Sequence, residues 1–165
     1  MFDTPIDAWY AWLGLAAATL VVFGVVSSLP TTPAPDAPAV AETVDAVATS
    51  EYEATATRAL DARAVRIGPR SIGLRTDAGT AHATLGYRVV PVEPGTTLAR
   101  VLRGQPPAAV FTSRATFERA VDTARDRARD PAWRPAGRHL VVRRLSWDGV
   151  DVTLVGTLDS RPGGV

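Results

Sequence analysis

The only imidazoles in the sequence are His82 and His139, each inside a stretch that reads as a β-strand. Neither has a second donor at HxH, HxxxH or HxxE spacing. A zinc or iron centre needs three or four converging donors, so no metal site is expected. Cysteine is absent, which removes thiolate metal sites, cysteine nucleophiles, disulfides and a lipid-modified N-terminal cysteine together. The chain carries no G-x-S-x-G elbow, no Walker A loop and no G-x-G-x-x-G fingerprint. Carboxylates pair only loosely. Asp148 and Asp151 flank a turn, and Glu51 and Glu53 alternate near a proline-rich stretch. General acid–base work needs one desolvated and one ionised carboxyl at a set separation, and Asp148 is better explained by turn chemistry. The expected sets of catalytic, cofactor-binding and metal-binding residues are all empty.

Arginine is the one abundant reactive type. All 18 basic residues are arginine, as a GC-rich coding sequence would give. Seven of them, Arg125, Arg127, Arg129, Arg134, Arg138, Arg143 and Arg144, fall in one region with Trp133 among them and Trp147 just beyond. Cations interleaved with aromatics can stack bases or hold phospholipid headgroups. Here Asp122, Asp126, Asp130 and Asp148 lie among them, and the whole chain has a formal net charge of +1. Solvated faces and tryptophan packing are therefore expected, with no nucleic-acid partner.

The elements that would position these groups follow an N-terminal anchor. Residues 1–7 form a short tail, and residues 8–29 are 22 positions without a charge. At about 1.5 Å per residue a helix of that length spans roughly 33 Å, enough for a hydrocarbon core of about 30 Å. Trp9, Tyr10 and Trp12 gather at one end, where amphipathic rings favour the headgroup layer. Gly14 with Ala18, and Gly24 with Ser28, have the small-xxx-small spacing that brings two helices close, so they are candidates for self-association through the span. Residues 1–7 hold no Lys or Arg, which favours an uncleaved anchor over a secretory signal.

Residues 30–50 read as a Pro/Ala-rich tether with a short stalk helix at 40–49, its Val40, Val44 and Val47 at helical spacing. Pro-rich chain of this kind suits an extracytoplasmic stalk, so a cytoplasmic N-terminus and an external domain are expected. Residues 51–158 read as the domain. Strands are expected at 64–68, 71–76 and 80–87, extended chain at 89–94, and a helical turn or two at 96–103. A longer helix at 114–129 is capped by Ser113, with Phe117, Val121, Ala124 and Ala128 in one stripe. A hairpin at 138–147 and 150–158 turns on Asp148-Gly149. Residues 159–165 form a flexible tail. The fold class is α+β: an N-terminal transmembrane helix, a Pro-rich tether, and a small antiparallel sheet with one main covering helix.

The opening MFDTPIDAWYAWLGLAAATLVVFGVVSSLPTTP, the segment RTDAGTAHATLGY, and the later PPAAVF, DPAWRP and VDVTLVG resemble an uncharacterised family of haloarchaeal single-span membrane proteins. That resemblance implies a membrane protein encoded near pilus-like or secretion components, with no assigned catalytic residues. The order of parts is also similar to that of type IV pilin-like proteins, although these carry a basic leader before the apolar run. The expected function is a membrane-anchored, non-enzymatic envelope protein. It would bind the bilayer through residues 8–29 and a protein partner through its domain. The alternatives are a membrane-tethered hydrolase with an unfamiliar site, and a cytoplasm-facing tether for anionic lipid or nucleic acid.

Overall fold

A computed structural model describes residues 35–160, together with Leu13 and Ala16. The span expected at 8–29, with Trp9, Tyr10, Trp12, Gly14, Ala18, Gly24 and Ser28, lies outside the described residues, those two positions apart. Among the described residues no helix is long and apolar enough to cross a membrane.

Helix α1 (Ala37–Ala48) opens the compact unit, which starts at residue 34. Asp36 caps it, its Oδ1 accepting from the Ala39 amide at 3.0 Å, and Pro38 sits in the first turn, where a missing N–H costs nothing. The valine stripe expected at 40, 44 and 47 is present, but it is not the surface of a free stalk. Val40, Val44 and Val47 are buried against Ile72, Leu74, Leu85, Leu140, Val142 and Val155. The folded unit therefore begins well before residue 51, because a helix with one apolar face needs a core to cover it. Asp45, on the same helix, fastens the loop after β4 by accepting from the Gly86 amide (3.0 Å to each oxygen) and the Tyr87 amide (3.4 Å).

Among the described residues eight strands follow: β1 (Ala54–Ala59), β2 (Ala64–Ile67), β3 (Ser71–Thr76), β4 (Gly79–Thr84), β5 (Val90–Pro91), β6 (Arg134–Pro135), β7 (His139–Trp147) and β8 (Val150–Leu158). Three helices lie between β5 and β6: α2 (Thr97–Leu102), α3 (Pro107–Val110) and α4 (Arg114–Arg127). The strands form two four-stranded sheets rather than one. The first has the order β1-β7-β8-β5, antiparallel except for the parallel β5–β8 pair, and the second is the antiparallel β4-β3-β2-β6. The β7–β8 turn has Asp148 at φ 51° and Gly149 at φ 78°, the two positive values of a type I′ hairpin turn.

The first sheet is covered on both faces. Leu140, Val142 and Val155 face α1 and the second sheet, while Val141, Leu145, Val152 and Leu154 face α2 and α4. This explains why residues 152–156 of β8 are all buried, as in strands packed on two sides. Helix α4 starts where expected. The Ser113 side chain accepts from the Thr116 amide and the Thr116 side chain from the Ser113 amide, a reciprocal cap. The single covering helix expected from the sequence is thus replaced by a helical layer on one side and by α1 with a second sheet on the other.

Candidate functional site

The arginine-rich region does not fold into a cationic surface. Arg143 and Arg144 are neighbours in β7, so alternation sends them to opposite faces of the first sheet. Arg143 Nη1 donates to the carbonyls of Val101 (2.6 Å) and Gln105 (3.1 Å), around the C-terminal end of α2. Arg144 Nη1 donates to the Ala48 carbonyl at 2.6 Å, the last residue of α1. Each guanidinium meets the negative end of a helix; the Val101 carbonyl also accepts from the Gly104 amide at 2.9 Å, whereas Arg144 gives the Ala48 carbonyl its donor. Arg125 pairs with Asp122 at 3.1 Å, and Arg129 with Asp126 at 2.8 Å. Arg144→Met is expected to cost about 1–2 kcal/mol, because a partly buried charge-assisted hydrogen bond is lost while the apolar stem is kept. Urea unfolding of the full chain would read this.

Trp147 packs edge-on against Phe117, with ring centroids 5.5 Å apart. Trp133 behaves differently. It precedes β6, and the register Val65↔Arg134 places Arg134 on the inner face of the second sheet and Trp133 on the outer one. The indole reaches across β2 to β3, where Gly73 leaves room. A Cβ there would lie 3.0 Å from Trp133 Cη2 and 2.8 Å from His82 Nδ1. The Arg75 guanidinium carbon sits 4.2 Å from the indole centroid, Arg66 is at 5.1 Å, and the His82 ring is tilted at 5.8 Å. Among the described residues neither Arg66 nor Arg75 has a carboxylate within ion-pair distance, whereas nearby Arg63 is paired with Asp77. Cation–π contact holds the two guanidiniums over the ring and leaves their N–H edges available.

A second feature is an open groove of about 1140 Å³. Its walls are the segment 91–98, α4, the segment 130–137 and the inner face of β2. The lining is mixed, with Val65, Ile67, Val92, Val110 and Ala124 beside Thr116, Arg119, Thr123 and Arg127. Glu93 on its rim is bridged to Arg134 and lies 3.9 Å from Arg127. The same alternation that turns Trp133 outward delivers Arg134 to this rim.

His82 and His139 belong to different sheets, and neither lines the groove. The His139 Nδ1 is buried without a hydrogen-bond partner among the described residues. Asp148 serves the turn, where its backbone carbonyl accepts from Arg114 Nη1 at 2.9 Å. Glu51 and Glu53 are both exposed. Among the described residues no three His, Asp or Glu side chains are placed to hold a metal ion. The cluster around Trp133 is what the sequence reading missed. Strand alternation already put Arg66, Gly73, Arg75 and His82 on one face, but a two-residue strand gave no signal that Trp133 would join them.

These features define a class: a small α+β domain of two sheets, with a groove on one side of the second sheet and a cation–aromatic cluster on the other. The chain belongs to the Family of unknown function (DUF7283), whose model matches residues 3–145. No curated protein and no solved structure matches it.

Proposed function

We propose that this chain is a membrane-anchored, non-enzymatic envelope protein whose α+β domain lies outside the cytoplasm and binds another protein. The observation that carries the reading is the 22-residue uncharged run at 8–29 immediately ahead of a folded domain. A groove of that domain has Val65, Ile67 and Val92 among its lining residues, and its rim glutamate is engaged by two arginines. Such a groove suits a peptide segment better than bond chemistry, since neither histidine borders it. The connector is also shorter than the sequence suggested. With α1 in the core, seven residues (30–36) separate the run from the helix, and fully extended they reach at most about 25 Å. A subunit accessory to a pilus-like or secretion assembly fits this arrangement of anchor, short spacer and interaction domain.

Protease added to intact cells is expected to clip the domain, and gentle detergent extraction is expected to recover a stoichiometric protein partner. A domain protected until the cells are lysed would overturn the topology. A chain that purifies alone and monomeric under several extraction conditions would overturn the partner-binding role.

A further inference from the structure

Strand β4 is the outer strand of the second sheet, and among the described residues it pairs only with β3. Its six residues, GTAHAT, run in unbroken register with β3 and contain no charge, no proline and no bulge. Natural sheets guard exposed edges with those devices or cover them with a helix, because unpaired N–H and C=O groups recruit another strand; α1 packs on the Ala81 and Ala83 side of β4 and leaves Thr80, His82 and Thr84 exposed. The direction of the free groups follows from the ladder. The Leu85 amide donates to the Arg70 carbonyl at 2.9 Å, so Arg70–Leu85 is a bonded pair in the β3–β4 register. Bonded and non-bonded pairs alternate in an antiparallel ladder. The bonded pairs are therefore Ile72–Ala83 and Leu74–Ala81, and the backbone groups of Thr80, His82 and Thr84 point away from β3.

The same three residues face outward from the sheet, while Ala81 and Ala83 pack toward the core. Beside them on that outer face lie Gly73 and the Arg66–Trp133–Arg75 stack. An incoming strand would hydrogen-bond along Thr80, His82 and Thr84. Its outward side chains would run beside a face that offers two guanidiniums, an imidazole and hydroxyls. Thr80 lies directly opposite Arg75 in the register. A long acidic side chain two strand spacings away, about 10 Å, reaches over the short threonine toward that guanidinium.

We propose that the β4 edge and the adjoining Arg66–Trp133–Arg75 cluster form a docking site for an extended acidic segment of a partner protein, added as a fifth strand. This rests on the reading of the domain as a protein-binding module and adds, on the side of the second sheet away from the groove, a surface for an acidic segment. A second copy of this chain fits poorly. Antiparallel pairing of two β4 edges about a two-fold axis puts both sets of Arg66 and Arg75 on one face, where like charges repel. An acidic strand offsets that charge, and backbone pairing plus alternate side chains is an established route to peptide recognition.

The test uses the full chain in neutral detergent and a fluorescent peptide of alternating Thr and Glu, read by anisotropy. A Thr/Lys peptide of the same pattern is the control. The Thr/Glu peptide is expected to bind saturably, and the Thr/Lys peptide not to bind. Arg66→Gln with Arg75→Gln is expected to weaken binding at least about tenfold through the loss of charge complementarity. Thr84→Pro, which removes an outward N–H without touching the β3 ladder, is expected to weaken it comparably. The charge variant leaves the backbone untouched, so it keeps the test valid if the proline variant melts early.

Equal binding of both peptides, or binding indifferent to the charge variant, overturns the site. Thr84→Pro that folds normally and binds like wild type overturns the strand-addition geometry. Binding to phosphatidylglycerol vesicles without binding to the peptide reassigns the cluster to lipid. A dimer abolished by Thr84→Pro reassigns the edge to a second copy. Because the peptide assay ignores topology and native partners, its failure beside a recovered cellular partner removes this inference alone.

Discussion

Val44→Asp is expected to unfold the domain, while Ala46→Asp, two positions along the same helix, is expected to leave it folded. Val44 is fully buried under both sheets, whereas Ala46 is exposed. A charge forced into the Val44 site has no partner there and disrupts the contacts of Val40 and Val47 as well. Burial of one valine contributes about 1.5–3 kcal/mol, so the three valines of α1 together contribute roughly 5–9 kcal/mol. A domain of ordinary stability has only about 5–15 kcal/mol in all. The surface substitution costs only helix propensity and an unfavourable charge in the last turn, together about 1 kcal/mol. Circular dichroism melts of the two full-length variants decide the matter. If α1 were a stalk outside the core, both substitutions would be tolerated equally. A chain started at residue 51 is expected to fail in the same way as Val44→Asp, since it lacks the helix that closes this side of the core.

The stripe at 40, 44 and 47 was visible in the sequence, yet its burial was not, because a valine row at helical spacing serves a stalk contact and a core contact equally. Features specified locally were legible almost to the residue. β3 lies at Ser71–Thr76 as the alternation required, the Asp148-Gly149 turn joins β7 to β8, and Ser113 caps α4. What failed was long-range. Ala54 pairs with Arg144 across most of the domain, and no short window in ATATRA announces a strand whose partner lies so far along the chain. The parallel β5–β8 pair involves two residues, one of them Pro91, and the second sheet closes on the equally short β6. These pairings divide the strands between two sheets, so a reading confined to hairpins merges them into one.

The candidate site divides in the same way. Arg143 and Arg144 looked like part of a charged cluster because adjacency in sequence suggests adjacency in space. In a strand adjacent residues are the ones that separate, and these two reach the ends of two different helices. Arg66 and Arg75, by contrast, meet over Trp133 although the indole lies far downstream in sequence. Their outward direction was readable from alternation. Their shared ring depended on Gly73 being the one position on that face with no side chain to hold the indole away.

Phe117→Ala should be the most damaging truncation on the helical side, at about 3–5 kcal/mol. The ring is fully buried and sits between Phe111 and Trp147, at centroid distances of 5.2 Å and 5.5 Å, with both contacts edge-on. Edge-to-face aromatic pairs contribute about 0.5–1.5 kcal/mol beyond the area they bury, so leucine cannot replace the ring fully. Phe117→Leu fills most of the volume and should lose about 1–3 kcal/mol, the contribution of the two aromatic pairs. The site has little freedom to collapse, because α4 is pinned at its start by the Ser113–Thr116 cap and the facing Val141 and Leu145 belong to the central strand β7. Thr116, Arg119, Ala120 and Thr123 of the same helix line the groove. In Phe117→Ala, hydrogen exchange should therefore accelerate along α4 under conditions where the amides of β3 remain protected. Equal acceleration in both places would mean that the two sides of the first sheet unfold as one unit. Similar small losses for alanine and leucine would mean that the aromatic contacts around Phe117 do not hold the helix in place.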